Sequence, residues 1–392
     1  MPRCLSLLIL ILLATSPPAR ADEQPRLDAA RLATGQVVEL GELRLRVLEA
    51  DVLPRLDNAM TRRHRFDHHG NPKLERLREQ ENLDDLVVGL DGEFQQQLAI
   101  LAWAQARLPR FGRPTSDVRG ALDIIAAADD GHTFYCSYYM DVFVSAAASM
   151  GWVTRSLALR VGNNWQGTGS YEHSAVEIWS NEHRKWVMLD PTYALHIEKE
   201  GVPLSAWEFR QQWFYGDRHE LVFVIGALDG RRARYSDLPV AIADHPGYGT
   251  LAVRDLTLDK YAFVGYVPNN DFMDTGPNWD EFFISTDEQL SQGVRWHRGN
   301  DNPDDPMQPY FPLNQAALSL EHADDTHVRV HVDTLTPNFD RFEARFDSEQ
   351  WNEVGESFVW ALEPGANRVE VRSFNRFGVP GPVSRLVMRL EP

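Results

Sequence analysis

Three residues that together perform nucleophilic acyl chemistry occur in order along this chain: Cys136, His173 and Asp190. A thiol attacks a carbonyl carbon as thiolate, and a neighbouring imidazole must take its proton and later give one to the leaving group. A carboxylate on the far side of the ring fixes its tautomer and orientation. The surrounding pattern says how the three could meet. Tyr139, Val142, Phe143, Ala146, Ala147 and Met150 recur at three- and four-residue spacing after Cys136, which predicts a helix that begins at the thiol and stops at Gly151. In the first helical turn, aligned peptide dipoles and free N–H groups favour a thiolate and can donate to an oxyanion. Residues 171–179 and 185–190 alternate on either side of Ser180-Asn181-Glu182-His183. A hairpin symmetric about the Asn181–Glu182 bond would set His173 directly opposite Asp190, where facing Cβ atoms lie about 4.5 to 5.5 Å apart.

Taken singly, each residue has a plain structural reading: a buried thiol, a hydrogen-bonded histidine, an aspartate in the Asp190-Pro191-Thr192 turn. The conjunction argues for chemistry, and the cysteine count sharpens it. The chain has two cysteines, and Cys4 lies in an N-terminal stretch that reads as a leader. Met1-Pro2-Arg3 is its basic start, Leu5 to Leu13 its apolar run and Ala19-Arg20-Ala21 a small-x-small cleavage site, with cutting expected after Ala21. Cys4 precedes the apolar run, so no lipid anchor is expected. The mature protein is therefore expected in the periplasm or secreted, where cysteines usually come in pairs. Cys136 would then be a lone thiol in an oxidising compartment. No later stretch approaches the roughly 18 to 20 apolar residues of a spanning helix.

The elements that must position these residues read as follows. Helical signals run from Leu74 to Leu108, with Phe94, Leu98, Leu101 and Ala102 on one face and Pro109 as the stop; a second helix covers Val118 to Ala127. Residues 155–161 alternate as a strand. Leu43 to Val47 is a strand-like patch within helix-compatible sequence. From about residue 320 the texture is short alternating strands and Gly/Pro turns, which predicts a small β-sandwich resembling immunoglobulin or fibronectin-type modules. The expected partition is a leader (1–21), an N-terminal segment (22–73), a catalytic core (74–225), an irregular β-rich middle (226–318) and the β-sandwich (319–392). His64, His68 and His69 lie among arginines before the Gly70-Asn71-Pro72 turn and read as solvated. Three scattered Cys, His and Asp ligands without a fourth give no zinc site, and neither metal nor cofactor is expected. The formal charge of −18 disfavours nucleic acid and anionic lipid as partners.

At Cys136, Gly151, the 155–162 strand, His173 and Trp186-Val187-Met188-Leu189-Asp190-Pro191-Thr192 the chain resembles the transglutaminase-like cysteine-enzyme superfamily, over about residues 92 to 195. The resemblance implies an α+β, papain-like core, with a Cys-bearing helix packed on an antiparallel sheet that carries the His and the Asp. It departs from the family in the bulky Thr133-Phe134-Tyr135 approach to the thiol and in Ser174 after the histidine. Trp165, Trp179 and Trp186 read first as shields of the core, while Tyr135 and Trp165 are the candidate substrate contacts. The function implied is an exported thiol-dependent acyl enzyme acting on an amide bond of a peptide or cell-envelope glycoconjugate, by hydrolysis or by transfer to an amine. Two other readings stand beside it. One is a glycan-amide hydrolase, supported by aromatics such as Trp279, Phe282, Phe283, Trp296, Tyr310 and Phe311. The other is a non-catalytic scaffold binding polysaccharide or protein on the same frame. Oligomeric state is not legible.

Overall fold

The computed structural model describes residues 26–66, 68–161, 172–226, 230–245, 249–268, 283–285, 305–347 and 349–391. The expected leader, Trp165, Trp279, Phe282 and Trp296 lie outside these residues. The fold is mixed α+β with antiparallel sheets, organised around two hydrophobic cores.

The first core lies between a group of helices and a large sheet. The sheet's central strands are Leu195–Lys199, Lys185–Asp190, Glu172–Ser180, Thr154–Arg160 and Phe263–Tyr266, in that spatial order. The helix Cys136–Ser149 packs on this sheet and is covered by the helices Pro72–Gln80, Glu93–Arg107 and Ala121–Asp129. The apolar stripe predicted one buried face. Instead every residue from Tyr138 to Ser149 is buried, as expected for a helix enclosed on all sides. Gly151 ends it at φ +83°. The Gly151 N–H donates to the Ala148 carbonyl and the Trp152 N–H to that of Ala147, the paired bonds of a Schellman stop that needs a left-handed residue at this position.

The middle region contributes to the same sheet. Phe263–Tyr266 pairs with Thr154–Arg160, and Arg231–Arg234 extends the opposite edge through Leu221–Ile225. The second core is sandwich-like, between a four-stranded and a six-stranded sheet. Three of its strands come from the N-terminal segment. Leu27–Asp28 pairs with Ala317–Asp324, and the hairpin Val37–Leu40 with Leu43–Asp51 pairs with Ser384–Leu390. Segments 22–73 and 319–392, expected as separate units, are therefore interleaved by strand pairing. Leu45 and Val47 are fully buried against residues such as Val371 and Met388. The Leu43–Val47 patch is a full strand because its alternation lets it cover one face of that sheet.

The two cores are bolted together. Asn375 donates to the carbonyl of Gly151 at 2.8 Å, and Phe377 lies so close that a Cβ on Gly151 would come within 2.5 Å of it. Asn338 accepts from the N–H groups of His68 and His69 and donates to the carbonyl of Phe66. This docking overturns the solvated reading of the histidine run. His68 is buried, His64 sits edge-on to Phe311 at 4.9 Å, and only His69 is exposed.

Candidate active site

Cys136 is the first residue of its helix, and Tyr135 before it is extended with no side-chain cap. The bulky approach is held by a small ladder. The Phe134 N–H donates to the carbonyl of Arg110, the Gly112 N–H to that of Phe134, and the Thr133 hydroxyl to that of Arg113. Phe134 is fully buried and packs on Tyr138 at 4.7 Å. Backbone pairing, the Thr133 hydroxyl and the buried Phe134 ring together fix this turn.

The hairpin pairs Trp179 with Trp186, Ile178 with Val187 and Val176 with Leu189. This register is shifted by two residues from the symmetric one, because the connection is the four-residue turn Asn181 to Arg184 with Arg184 at φ +54°. His173 and Asp190 are therefore diagonal neighbours rather than directly opposed. A shift of two preserves the face on which each side chain points, and a diagonal pair is still within reach of a long ring. His173 Nε2 donates to Asp190 Oδ2 at 2.6 Å. Asp190 Oδ1 accepts from the Thr192 N–H at 3.0 Å, which orients the carboxylate. Both side chains are almost wholly buried.

Cys136 lies beside the same imidazole, close enough for the two to influence each other's charge state. Burial alone would push the Cys136 thiol up. The hydrogen bond and positive charge of His173, with the Ser174 N–H, outweigh it and hold the thiol below its ordinary value. Burial alone would pull His173 down, but the charge and hydrogen bond of Asp190, then Cys136, push it up to about 9. Tyr193, mostly buried, closes over the imidazole at 5.7 Å between ring centres.

Cys136, His173, Tyr135 and Tyr193 line one cleft of about 870 Å³, and Cys136 keeps part of its surface open there. Tyr135 is 43% exposed at its mouth. Trp179 and Trp186 are buried core residues, 5.9 Å apart in a T-shaped contact, as expected. Tyr310 and Phe311 belong to the core packing as well. Among the described residues, no group of three His, Cys, Asp or Glu side chains could hold a metal ion.

Two residues at the site carry no signal in the sequence pattern. Lys260 lines the cleft on the turn Asp259–Ala262, and burial lowers its pKa against the opposing influence of Cys136 and Asp190. Asp141 is buried five residues beyond the thiol, with Oδ1 unpartnered. Burial raises it well above the ordinary carboxylate value. A lone Lys in a loop-rich stretch and a lone Asp inside an apolar helix mean nothing until tertiary structure brings them to the thiol.

No family model and no curated protein matches the chain. Among solved structures it is similar to the transglutaminase of red sea bream, at 11% identity and a TM-score of 0.21, over 74% of this chain and 68% of that one. A superposition that loose carries no chemistry, so the site stands on its own side chains.

Proposed function

We propose that this chain is a thiol-dependent acyl enzyme that cleaves an amide bond. The carrying observation is the buried 2.6 Å bond from His173 to Asp190, with the helix-starting Cys136 lining the same open cleft as that imidazole. In the first half-reaction the Cys136 sulfur forms a bond to the carbonyl carbon. The oxygen becomes an oxyanion, to which the uncapped N–H groups of the helix's first turn can donate. Protonated His173 gives its proton to the leaving nitrogen, the C–N bond breaks, and a thioester remains on Cys136. In the second half-reaction water attacks the thioester while His173 takes its proton, and the acid leaves with the thiolate restored. Asp190 keeps His173 oriented throughout. The substrate class is a peptide or cell-envelope glycoconjugate amide, in keeping with the leader-like N-terminus and the resemblance to transglutaminase-like enzymes. The periplasmic or secreted location is part of the same proposal.

The test is the pH dependence of iodoacetamide labelling at Cys136 in folded protein. The thiol is held low and His173 high, so thiolate and imidazolium coexist over the interval between them. The expected rate stays high well below the ordinary thiol value of 9.0 and collapses in His173→Ala. Slow labelling with an ordinary profile, indifferent to that substitution, would sink the enzyme reading. The acylation step, which needs imidazolium as acid, should fade as pH rises through about 9.

A further inference from the structure

The cleft over Cys136 differs in sign from the molecule around it. Among the described residues, Arg113, Arg160, Arg254 and Lys260 line it against one carboxylate, Glu172, in a chain whose formal charge is −18. Glu172 is already engaged, facing Arg160 across the strand pair at 3.2 Å.

Lys260 is the built element of this wall. Its turn is pinned at every other residue. Trp213 Nε1 donates to Asp259 Oδ1 at 2.9 Å, and Arg210 Nε donates to the carbonyl of Ala262 at 2.9 Å. Tyr261 is buried, edge-on to Phe209 at 4.9 Å and donating its hydroxyl to Met188 Sδ. Lys260 alone is turned to the cleft, half-buried and with no ion pair among the described residues. An ammonium held that way gains from an incoming anion what it lost in hydration.

We propose that the acyl substrate binds through an anionic group, a carboxylate carried close to the reacting carbonyl, and that Lys260 receives it with Arg254 flanking. This deepens the proposed function and rests on Cys136 being the nucleophile. It also bears on the acceptor. A primary amine is cationic at neutral pH, and a cationic cleft repels it. Water is then the acceptor, and the reaction is hydrolysis.

Two alkylating probes of the same thiol, iodoacetate (an anion) and iodoacetamide (neutral), separate the site from the nucleophile. The ratio of their labelling rates cancels any general change in thiol reactivity. In the full chain at pH 7, Lys260→Gln should lower the iodoacetate-to-iodoacetamide ratio about fivefold, the worth of one partly solvated charge pair. Lys260→Arg should restore the ratio, and Arg254→Gln, on an exposed position, should lower it independently. A ratio unmoved by both neutral substitutions, with iodoacetamide labelling still fast and His173-dependent, overturns the carboxylate site alone. Slow iodoacetamide labelling that is indifferent to His173→Ala removes the nucleophile, and this proposal falls with it.

Discussion

His173 has Nε2 committed to Asp190 and the Cys136 thiol beside its ring, so its charge state is set by two partners at once. Replacing Asp190 with Asn keeps the shape but offers the ring a donor, favouring the wrong tautomer. The expected loss in turnover is about 10³- to 10⁴-fold with the fold intact, measured by steady-state kinetics beside a thermal melt. The same change should let His173 fall from about 9, so the high-pH limb of activity moves to lower pH. The raised His173 value also bears on stability. Its contribution is fully present below the ordinary 6.5 and is lost as pH rises through about 9. Asp141 makes the opposite kind of prediction. If burial keeps it neutral, Asp141→Asn is close to isosteric and should leave the melting temperature within about a degree. A large drop in calorimetry would mean the native side chain is ionised.

At the scale of elements, the hairpin bearing His173 and Asp190 is held at two places. Its turn is latched to a helix start. Glu93 accepts from the Asn181 N–H and side-chain amide and from the Glu182 N–H, while Glu182 Oε2 accepts from the Phe94 N–H. Burial pushes Glu93 up to about 7 in spite of these bonds. Its folded value lies above the ordinary 4.5, so its contribution to stability is greatest below 4.5 and is lost as pH rises through 7. Glu93→Gln should remove that slope, seen as urea midpoints at pH 5 and 8 that differ less than in the native chain. Along the strands, Arg155 and Glu177 face each other as a fully buried pair at 2.5 Å, with the guanidinium 4.1 Å from the Trp186 ring centre. Arg155→Met strands a buried carboxylate and should cost about 3 to 5 kcal/mol in chemical denaturation, with much of it recovered in Arg155→Met/Glu177→Leu.

The same elements show what the sequence could reveal. The helix start at Cys136, its glycine stop and the face shared by His173 and Asp190 follow from periodicity, which local residues control. The register does not, because it depends on Arg184 adopting a left-handed turn conformation that its residue type does not announce. Arg155 and Glu177 look like ordinary surface charges in an alternating strand, and only the covering by Trp186 and Tyr310 makes them interior. Lys260 reaches the cleft through pairing of Phe263–Tyr266 with Thr154–Arg160, which nothing local predicts.

Over the whole molecule, the sandwich-like unit and the thiol's helix share the contact at Gly151. Gly151→Ala meets both a left-handed backbone and the Phe377 side chain, so it should lower the melting temperature by several degrees and slow Cys136 labelling. Phe377→Ala in the same background should recover the part due to contact and not the part due to backbone strain. The strand pairing has a further consequence, for the order in which the chain can become itself. Arg46 and Glu391 meet at 2.7 Å although 345 residues separate them. During synthesis the Val37–Leu40 and Leu43–Asp51 hairpin emerges before its partner Ser384–Leu390, and a lone two-stranded hairpin is marginal in water. Asn375 and Phe377, which brace the thiol's helix, likewise follow that helix in the chain, Asn375 lying 224 residues after Gly151. Until Ser384–Leu390 is made, the hairpin keeps an open strand edge and the helix bearing Cys136 lacks its brace at Gly151, so the second core must close before the nucleophile's helix is fully held.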